Sequence, residues 1–334
     1  MEMISPKVSI KKSPGFTFAV AKIRFWESKL LTTSMFYQLA DSKDLPQLQS
    51  ILNPTAYASK IALPDFDDSI DSEEFATLKE LKSFLKDYKF IMPFFYKRDF
   101  HNLKLIAKSK YTNVEADWLK EGFISKEIAI KVIAEQDLTS LPKIYRDFIS
   151  QIWNMYEKTD NWQIFDTFLD KKLYEQILNV TKEVSFANRF FKTEIDLINI
   201  KTLIRCRNNN AQADLFSQLF IDGGFLDKTF FIETYNKEQI DKLSQRLKFT
   251  PYDILAGIGT EDSKSFDYEI EKRCCLVLLK YLSCAKYTAF GYEPILRYVF
   301  SKNNEIRNLR TIFVGKLHNL SSEEIKARIG PFDA

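Results

Sequence analysis

Apolar residues recur every three or four positions along most of the chain, a pattern typical of amphipathic helices. Phe100, Leu103 and Ala107 fall on one face of a helix with 3.6 residues per turn. Two later segments repeat this stripe with other apolar residues: Leu197, Ile200 and Ile204, then Ile306, Leu309 and Phe313. Because turn dipeptides are few, the pattern predicts an all-α fold rather than strands and hairpins.

The same three segments share a frame of polar positions. In each, an acid follows a Phe by five residues, an Asn follows the acid by three, and a Lys or Arg follows the Asn by two. The polar members are Asp99, Asn102 and Lys104; Asp196, Asn199 and Lys201; and Glu305, Asn308 and Arg310. The acids lie 97 residues (99 to 196) and 109 residues (196 to 305) apart, which predicts a repeat of domain size.

On a helix, the acid and the Asn lie together on one border of the apolar stripe, and the basic residue lies on the other. We interpret the Asn as a structural residue that satisfies a backbone or side-chain partner where helices meet. A catalytic acid-Asn-Lys set is the weaker interpretation, because three equivalent active sites would each need a pocket. These nine residues are therefore predicted to be structural.

A second element supports the repeat. Segments that begin at Leu30, Phe123 and Phe225 each place two apolar residues before a Thr, Ser or Asp that can cap a helix. Helix exits of the form Leu-x-x-Thr-x-Tyr occur twice, with Thr55 before Tyr57 and Thr250 before Tyr252. The second copy lacks this exit.

Together these patterns predict three similar helical domains at residues 1–122, 123–223 and 224–334. Gly122 and the Gly223-Gly224 pair are predicted helix C-caps at the two boundaries. The acidic stretch from Ala62 is predicted to be a loop, with a helix starting near Ser72 and Glu73 and Glu74 in its first turn. Further loops are predicted at residues 208–210 and 257–264.

Composition agrees with helix and excludes several classes of protein. Gly is scarce, with 9 residues in 334, and the 29 Phe and 15 Tyr are typical of aromatic packing between helices. A formal net charge of +3 is too small to predict a nucleic-acid partner. No apolar run approaches the roughly 20 residues of a membrane span, and the first residues show no secretory signal, so we expect a cytoplasmic chain.

Familiar catalytic and ligand motifs are absent from the sequence. The four Cys form no C-x-x-C pair, and three of them, Cys274, Cys275 and Cys284, are expected to pack as small apolar residues. The chain has two His, no phosphate loop and no nucleophile elbow. We therefore predict no catalytic residues, no metal and no cofactor.

The C-terminal block FGYEPILRYVFSKNNEIRNLRTIFVGKL, from Phe290 to Leu317, resembles the signature of the C subunit of the bacterial and archaeal V/A-type (vacuolar-type) ATPases, whose eukaryotic counterpart is the d subunit. The helix TEIDLINIKTLIRCR, from Thr193 to Arg207, is similar to the central acid-x-x-Asn-Ile-Lys helix of that family. The N-terminal segments AVAKIRFWESKLLT and LNPTAYA resemble its first helix and its Thr-x-Tyr exit.

The resemblance implies a funnel of three similar helical domains and a non-catalytic central-stalk subunit. Such a subunit sits peripherally on the cytoplasmic face of the membrane and couples the rotor shaft subunits to the proteolipid ring during ion transport or ATP synthesis. Candidate partner-binding residues are Arg205, Arg207, Tyr292, Glu293 and Arg297. For Tyr292 and Glu293, ahead of the helix-starting Pro294, N-capping and ring packing are an equal alternative. The competing hypotheses are a helical scaffold or adaptor unrelated to any ATPase and, third, an enzyme with an unfamiliar site.

Overall fold

A computed structural model of the chain describes residues 14–58, 60–61, 66–115, 118–159, 162–235, 240–256, 258 and 263–332. These residues form helices and turns and contain no strand, as the sequence predicts. The α-helices are α1 Thr17–Glu27, α2 Thr33–Asp41, α3 Leu45–Leu52, α4 Phe66–Phe84, α5 Met92–Ser109, α6 Lys126–Glu135, α7 Lys143–Thr159, α8 Trp162–Thr181, α9 Ser185–Asn208, α10 Ala213–Leu219, α11 Lys228–Glu233, α12 Ile240–Leu247, α13 Ser263–Leu282, α14 Glu293–Leu317 and α15 Ser322–Arg328.

The chain divides into two compact units. Unit 1 is discontinuous and comprises Met1–Tyr88 and Ile240–Ala334, whereas unit 2 is the continuous segment Lys89–Gln239. The predicted boundaries at residues 122 and 223 both lie inside unit 2. The division into three similar domains stays a prediction.

Helix α14 is the centre of unit 1, where it packs against α1, α2, α4 and α15. Its residues Ile306, Leu309 and Phe313, predicted to form one stripe, are each at most 2% exposed. The Phe313 ring stacks on Phe66 of α4 with centroids 4.5 Å apart. The N-terminal and C-terminal parts of the sequence thus share one hydrophobic core.

In unit 2, α5 packs against α6, α7 and α8, and α9 packs against α8 and α10. The predicted stripes are buried here too, with Phe100, Leu103 and Ala107 on α5 and Leu197, Ile200 and Ile204 on α9. Phe94 on α5 meets Phe191 on α9 edge to face, at 6.0 Å between centroids. These two Phe occupy the same position of the repeated frame, and the contact supports the interpretation of the aromatic residues as core.

The predicted helix starts and exits are confirmed. Thr32, Ser125 and Asp227 are the N-caps of α2, α6 and α11, and each side chain accepts a hydrogen bond from the backbone N–H three residues later. At the exits of α3 and α12, the hydroxyls of Thr55 and Thr250 donate to the carbonyls of the last helical residue at 2.7 and 2.6 Å. The same hydroxyls accept from the N–H of Tyr57 and Tyr252.

The predicted loop from Ala62 is wrong in part. Helix α4 begins at Phe66, with Asp67 and Asp68 in its first turn, and residues 62–65 lie outside the described residues. Glu73 therefore lies inside the helix and is buried, where it pairs with Lys60 at 2.8 Å. Acidic residues at both Asp67 and Glu73 hid the helix, because the apolar positions between them are few.

The predicted C-cap role of the glycines is also wrong. Gly122 lies in the loop between α5 and α6, and Gly223 and Gly224 follow the C-cap of α10, Phe220, by three or more residues. The predicted loop at residues 208–210 is confirmed as a turn at Asn209 and Asn210, whereas Asn208 is the last residue of α9. Most of the predicted loop at 257–264 lies outside the described residues, and α13 begins at Ser263.

Three of the four Cys are buried, and Cys284 is half-buried. Burial raises the pKa of the Cys275 thiol, which keeps it protonated and unreactive. Cys274 and Cys275 thus pack as small apolar residues, as the sequence predicts.

Candidate functional site

Each of the three repeated Asn side chains pairs with the backbone of a loop residue. Asn102 donates to the carbonyl of Lys120 at 2.6 Å and accepts from its N–H at 2.9 Å. Asn199 makes the same two bonds to Ile221, at 2.8 and 2.9 Å. Asn308 makes them to Gly330, at 3.2 and 2.9 Å. A side-chain amide used in this way satisfies one donor and one acceptor of a loop peptide at once.

The repeated acids hold the N–H groups that lead into a capped helix. Asp99 accepts from Ile124 at 2.9 Å, and Asp196 accepts from Phe225 and Leu226 at 3.0 Å each. Glu305 accepts from Leu31 at 2.6 Å. Ile124, Leu226 and Leu31 directly precede the N-caps of α6, α11 and α2, and Phe225 precedes Leu226. We call each acid and Asn pair a bracket: the first is Asp99 and Asn102, the second Asp196 and Asn199, and the third Glu305 and Asn308.

The third bracket differs in where its loop comes from. The first two grip continuous loops, from Lys120 to Ile124 and from Ile221 to Leu226. The third grips Gly330 with its Asn and Leu31 with its acid, residues from opposite ends of the sequence. The third bracket therefore joins the two sequence segments that make up unit 1.

The acid of the third bracket also sits in a buried polar cluster. Glu305 is 0% exposed, accepts from the Tyr57 hydroxyl at 2.6 Å and pairs with Lys302 at 2.9 Å. The Lys302 ammonium donates to the Tyr57 oxygen as well and lies 3.5 Å from Glu73. Burial, with the Glu305 charge as the next cause, raises the pKa of Tyr57 well above its ordinary value, so the hydroxyl stays a donor.

In unit 2, the acid of the first bracket, Asp99, has a strongly raised pKa. Burial raises the pKa of Asp99 to about 7, although hydrogen bonds from the backbone of Ile124 and Phe123 and from the Tyr145 hydroxyl oppose the shift. The hydroxyl of Tyr145 lies 3.4 Å from the carboxylate, as Tyr57 lies beside Glu305. Tyr145 therefore stands by the acid of α5 in the role that Tyr57 has beside the acid of α14.

The loop glycines are explained by the short aspartates. A Cβ on Gly122 would lie 2.2 Å from the Asp99 Oδ1, and a Cβ on Gly224 would lie 2.1 Å from the Asp196 Oδ1. The equivalent position before Leu31 is Lys29, and the acid there is Glu305. Since Glu is one methylene longer than Asp, the third bracket reaches its loop from farther away and a side chain fits.

The basic residue of the frame lies at the outer border of each stripe. Lys104 pairs with Asp170 of α8 at 2.7 Å, and Arg310 pairs with Asp67 of α4 at 3.0 Å. Lys201 is half-buried. The pairs of Lys104 and Arg310 are partly solvated, and pairs of this kind contribute at most about 1 kcal/mol each to stability.

The five candidate partner-binding residues divide by exposure. Arg205 at the end of α9 is exposed, whereas Arg207 is 5% exposed and burial lowers the pKa of its guanidinium. Arg297 is 3% exposed and pairs with Glu27 of α1 at 2.7 Å. Glu27 also pairs with Arg24 at 2.6 Å, so Arg297 helps fix α1 on α14.

Tyr292 and Glu293 begin α14. Tyr292 is the N-cap residue, is half-buried, and packs edge to face on Phe16 at 6.3 Å. Glu293 is buried and binds its own N–H and that of Tyr292, while burial raises the pKa of its carboxyl. Gly291 has φ +97°, and a Cβ there would lie 2.2 Å from the Glu293 Oε2. These contacts favour the N-capping interpretation of the pair, and the role of the five residues at a partner surface stays a prediction.

Among the described residues, no three His, Cys, Asp or Glu side chains are grouped as a metal ion would require. Within the same ranges, no helix has a stretch that is both long and apolar enough to cross a bilayer. The brackets bind backbone N–H and carbonyl groups of the chain itself. What they do is set the position of the next helix.

Comparison with known proteins shows which protein family the chain belongs to. The family model described as ATP synthase (C/AC39) subunit matches residues 19–328. The chain belongs to this family. The match runs through all three brackets and through the block from Phe290 to Leu317.

Relatives in the C/AC39 family cover nearly all of the chain at low identity. The C subunit of the V-type sodium ATPase of Enterococcus hirae is 23% identical over 92% of this chain and 95% of its own length. The C subunit of the A-type ATP synthase of Methanocaldococcus jannaschii is 26% identical over 96% of this chain and 87% of its own. Its counterpart in the A-type ATP synthase of Methanococcoides burtonii is 22% identical over 98% and 99%.

The resemblance to the C subunit of the V/A-type ATPases is therefore confirmed. Membership of the C/AC39 family makes the chain a non-catalytic accessory subunit of such an ATPase, as predicted, and rules out a scaffold unrelated to any ATPase. Its partners are other subunits of the complex. The sequence analysis did not predict the loop partners of the brackets. A glycine lies two residues before Ile124 and another two residues before Leu226, and glycine at such positions can signal that the backbone approaches another group closely.

Proposed function

We propose that the chain is the coupling subunit of the central stalk, a socket on the cytoplasmic face of the membrane that joins the rotor shaft to the proteolipid ring. The observation that carries the proposal is family membership over residues 19–328, together with relatives named as the C subunit of a V-type sodium ATPase or an A-type ATP synthase. The bracket geometry supports a mechanical role.

A part that passes torque has to resist shear between its helices. Each bracket fixes a loop to a helix through two side chains that are at most 1% exposed, and the helices themselves meet through close-packed apolar stripes. Polar groups buried in this way tolerate little displacement, because an unmade buried hydrogen bond costs about 1–3 kcal/mol. The scaffold is suited to transmitting force and has no chemistry of its own in this proposal.

The test separates pumping from hydrolysis. Among the candidate charged residues, Arg205 is exposed and can be reversed without burying a charge. Arg205→Glu in the complete membrane complex should lower ion transport more than it lowers ATP hydrolysis, since a like-charge contact at a polar interface weakens docking and leaves the catalytic subunits intact. The measurement is the ratio of ions moved to ATP hydrolysed in sealed vesicles.

A matched control is Lys143→Glu, which reverses an exposed cation at the start of α7 in the same unit. It should leave the ratio unchanged, and both variants should keep the wild-type melting temperature. If folded variants that have lost the shaft or the ring by pull-down still transport at the normal ratio, the chain is outside the path of torque.

A second consequence concerns nucleotide. Because the sequence has no phosphate loop, we expect the purified chain to bind no ATP and to hydrolyse none. Titration calorimetry with Mg-ATP is the measurement. Saturable binding at micromolar concentration would contradict a purely mechanical subunit.

A further inference from the structure

Helix α1 has two apolar faces, and one of them is exposed. Ala19, Val20 and Ile23 are at most 4% exposed, on the side where α1 packs against α14. On the opposite side Phe18 is 69% exposed and Phe25 is 62% exposed. The Phe18 ring also meets Phe84 of α4 edge to face, at 6.0 Å between centroids. Two largely exposed Phe side chains on one helix face nevertheless mark an interaction surface rather than a lone exposed residue.

The spacing of the exposed face is that of a coiled-coil seam. Phe18, Ala21 and Phe25 on α1 and its C-cap residue Ser28 are separated by three, four and three residues, the a and d positions of a heptad, and all four are exposed. Large and small side chains alternate along this seam. The Phe rings can act as knobs, and Ala21 and Ser28 leave room for knobs from a second helix. The seam therefore fits an α-helix.

The flanking charges indicate the kind of helix. Lys22 and Lys29 occupy the two e positions beside the seam, and Arg24 occupies the g position between them. Lys29 is exposed, with its ammonium 5.3 Å from the centre of the Phe25 ring. Lys22 pairs with Glu80 at 2.7 Å, and Glu27 is shared between Arg24 and Arg297. With Lys29, four basic residues thus face two acids, and this part of the surface keeps an excess of positive charge.

An exposed aromatic turn extends the same surface. Arg24 donates to the carbonyls of Ala285 and Thr288 at 3.1 and 2.9 Å, so the turn after α13 lies beside α1. Tyr287 in that turn is 88% exposed. We define the α1 seam as Phe18, Ala21, Phe25 and Ser28.

We propose that the α1 seam docks an α-helix of another subunit of the ATPase, one whose apolar heptad positions are bordered by Asp and Glu. The geometry calls for a helix, and the basic e and g positions call for acidic flanks. The inference rests on the proposed function only in taking the partner from the same complex. The inference assigns α1 a docking role that membership of the C/AC39 family does not by itself assign.

The first test is photo-crosslinking in native membranes. Position 21 receives a benzoylphenylalanine, because Ala21 lies between the two Phe and is exposed. After illumination, the adduct should contain a second ATPase subunit joined through a helix, at an apolar position with Asp or Glu neighbours. An adduct with lipid only, an adduct with a second copy of this chain, or no adduct in assembled complexes would overturn the inference.

The second test measures retention of the chain in the purified complex. Phe25→Ser should weaken association by about tenfold, and Lys29→Glu by about threefold with a reduced dependence on salt. Phe249→Ser is the matched control, because Phe249 is 101% exposed in the same unit and lies outside the seam. It should leave retention unchanged.

The two proposals fail differently. If Phe25→Ser is retained as well as the control, with all chains folded by melting temperature, the α1 seam is not a docking site and the coupling role stands. If the wild-type chain is absent from complexes that contain the shaft and the ring, the proposed function fails whatever the seam variants show.

Discussion

The brackets of unit 2 and the bracket of unit 1 perform the same task with different means. In unit 2 the acid is Asp, the loop is continuous, and the residue pressed against the carboxylate is Gly122 or Gly224. In unit 1 the acid is Glu305, the loop is divided between Leu31 and Gly330, and Lys29 stands where the glycines were.

The difference shows that acid length and loop residue change together. A shorter acid needs the backbone to come closer, and only a residue without Cβ permits that approach. A longer acid keeps the loop at a distance, and Glu305 binds Leu31 through Oε1 and both Tyr57 and Lys302 through Oε2. The third bracket is thereby tied to a buried ion pair between Glu305 and Lys302.

The largest expected effect comes from removing this acid. Glu305→Ala leaves the buried Lys302 without its nearest carboxylate and deprives the Leu31 N–H and the Tyr57 hydroxyl of their acceptor. The loss of one member of a buried pair costs about 3–5 kcal/mol. Urea unfolding measures the change, and amide exchange at Leu31 should quicken more than at Leu226. Equal acceleration at both amides would argue against separate brackets.

The next effect sharpens the contrast between Asp and Glu brackets. Gly224→Ala places a methyl group against the Asp196 carboxylate and should destabilise by about 1–3 kcal/mol, as overpacking does. Lys29→Ala, at the equivalent position of the third bracket, should change stability by less than about 0.5 kcal/mol. Thermal melts of the two variants give the comparison. Similar costs at both positions would contradict the argument from acid length.

A pH effect is expected at the first bracket. Because the folded-state pKa of Asp99 is about 7, above the ordinary 3.8, its contribution to stability is full below pH 3.8 and is lost as pH rises toward 7. Asp99→Asn removes this titration. The melting temperature of the variant minus that of the wild type should therefore increase between pH 5 and pH 7.5. A difference that stays constant would place the carboxyl in a less buried setting.

The smallest effects are expected at the outer border of the stripes. Lys104→Ala and Arg310→Ala each remove a partly solvated ion pair, in unit 2 and unit 1 respectively. Each should cost about 0.2–1 kcal/mol, less at high salt. Melting temperatures in 0.05 and 0.5 M NaCl provide the measurement. A loss above 2 kcal/mol at either position would mean that the frame's basic residue belongs to the bracket.

Much of the fold could be predicted because periodicity and capping are local. The stripe on α9 and the N-cap at Ser125 depend on neighbours within a few residues, which the sequence displays directly. The start of α4 was missed because Asp67 and Glu73 gave it the composition of an acidic loop. Packing of its apolar residues Phe66 and Ile70 outweighs that composition.

The bracket partners were harder to predict, because nearly every residue has a backbone N–H and a carbonyl, and residue type does not reveal which of them a side chain binds. The Asn was correctly interpreted as satisfying a backbone or side-chain partner, but Lys120 and Ile221 could not be named. One signal was available and unused. In unit 2, each helix that carries the acid and the Asn is followed along the chain by a capped turn. The capped turn at Thr32 has no such helix before it, and the helix α14 has no capped turn of this kind after it. Pairing these two would have predicted the contact between Glu305 and Leu31.

The bond between Leu31 and Glu305 spans 274 residues of sequence and has a consequence for biosynthesis. Ribosomes add residues from the N-terminus, so α1 to α4 emerge long before α14 exists to receive them. The brackets of unit 2 close within 30 residues and can form as soon as their loops leave the exit tunnel. We expect the middle of the chain to fold first on the ribosome, while the leading segment waits, with Leu31 and Tyr57 exposed, until translation is nearly complete.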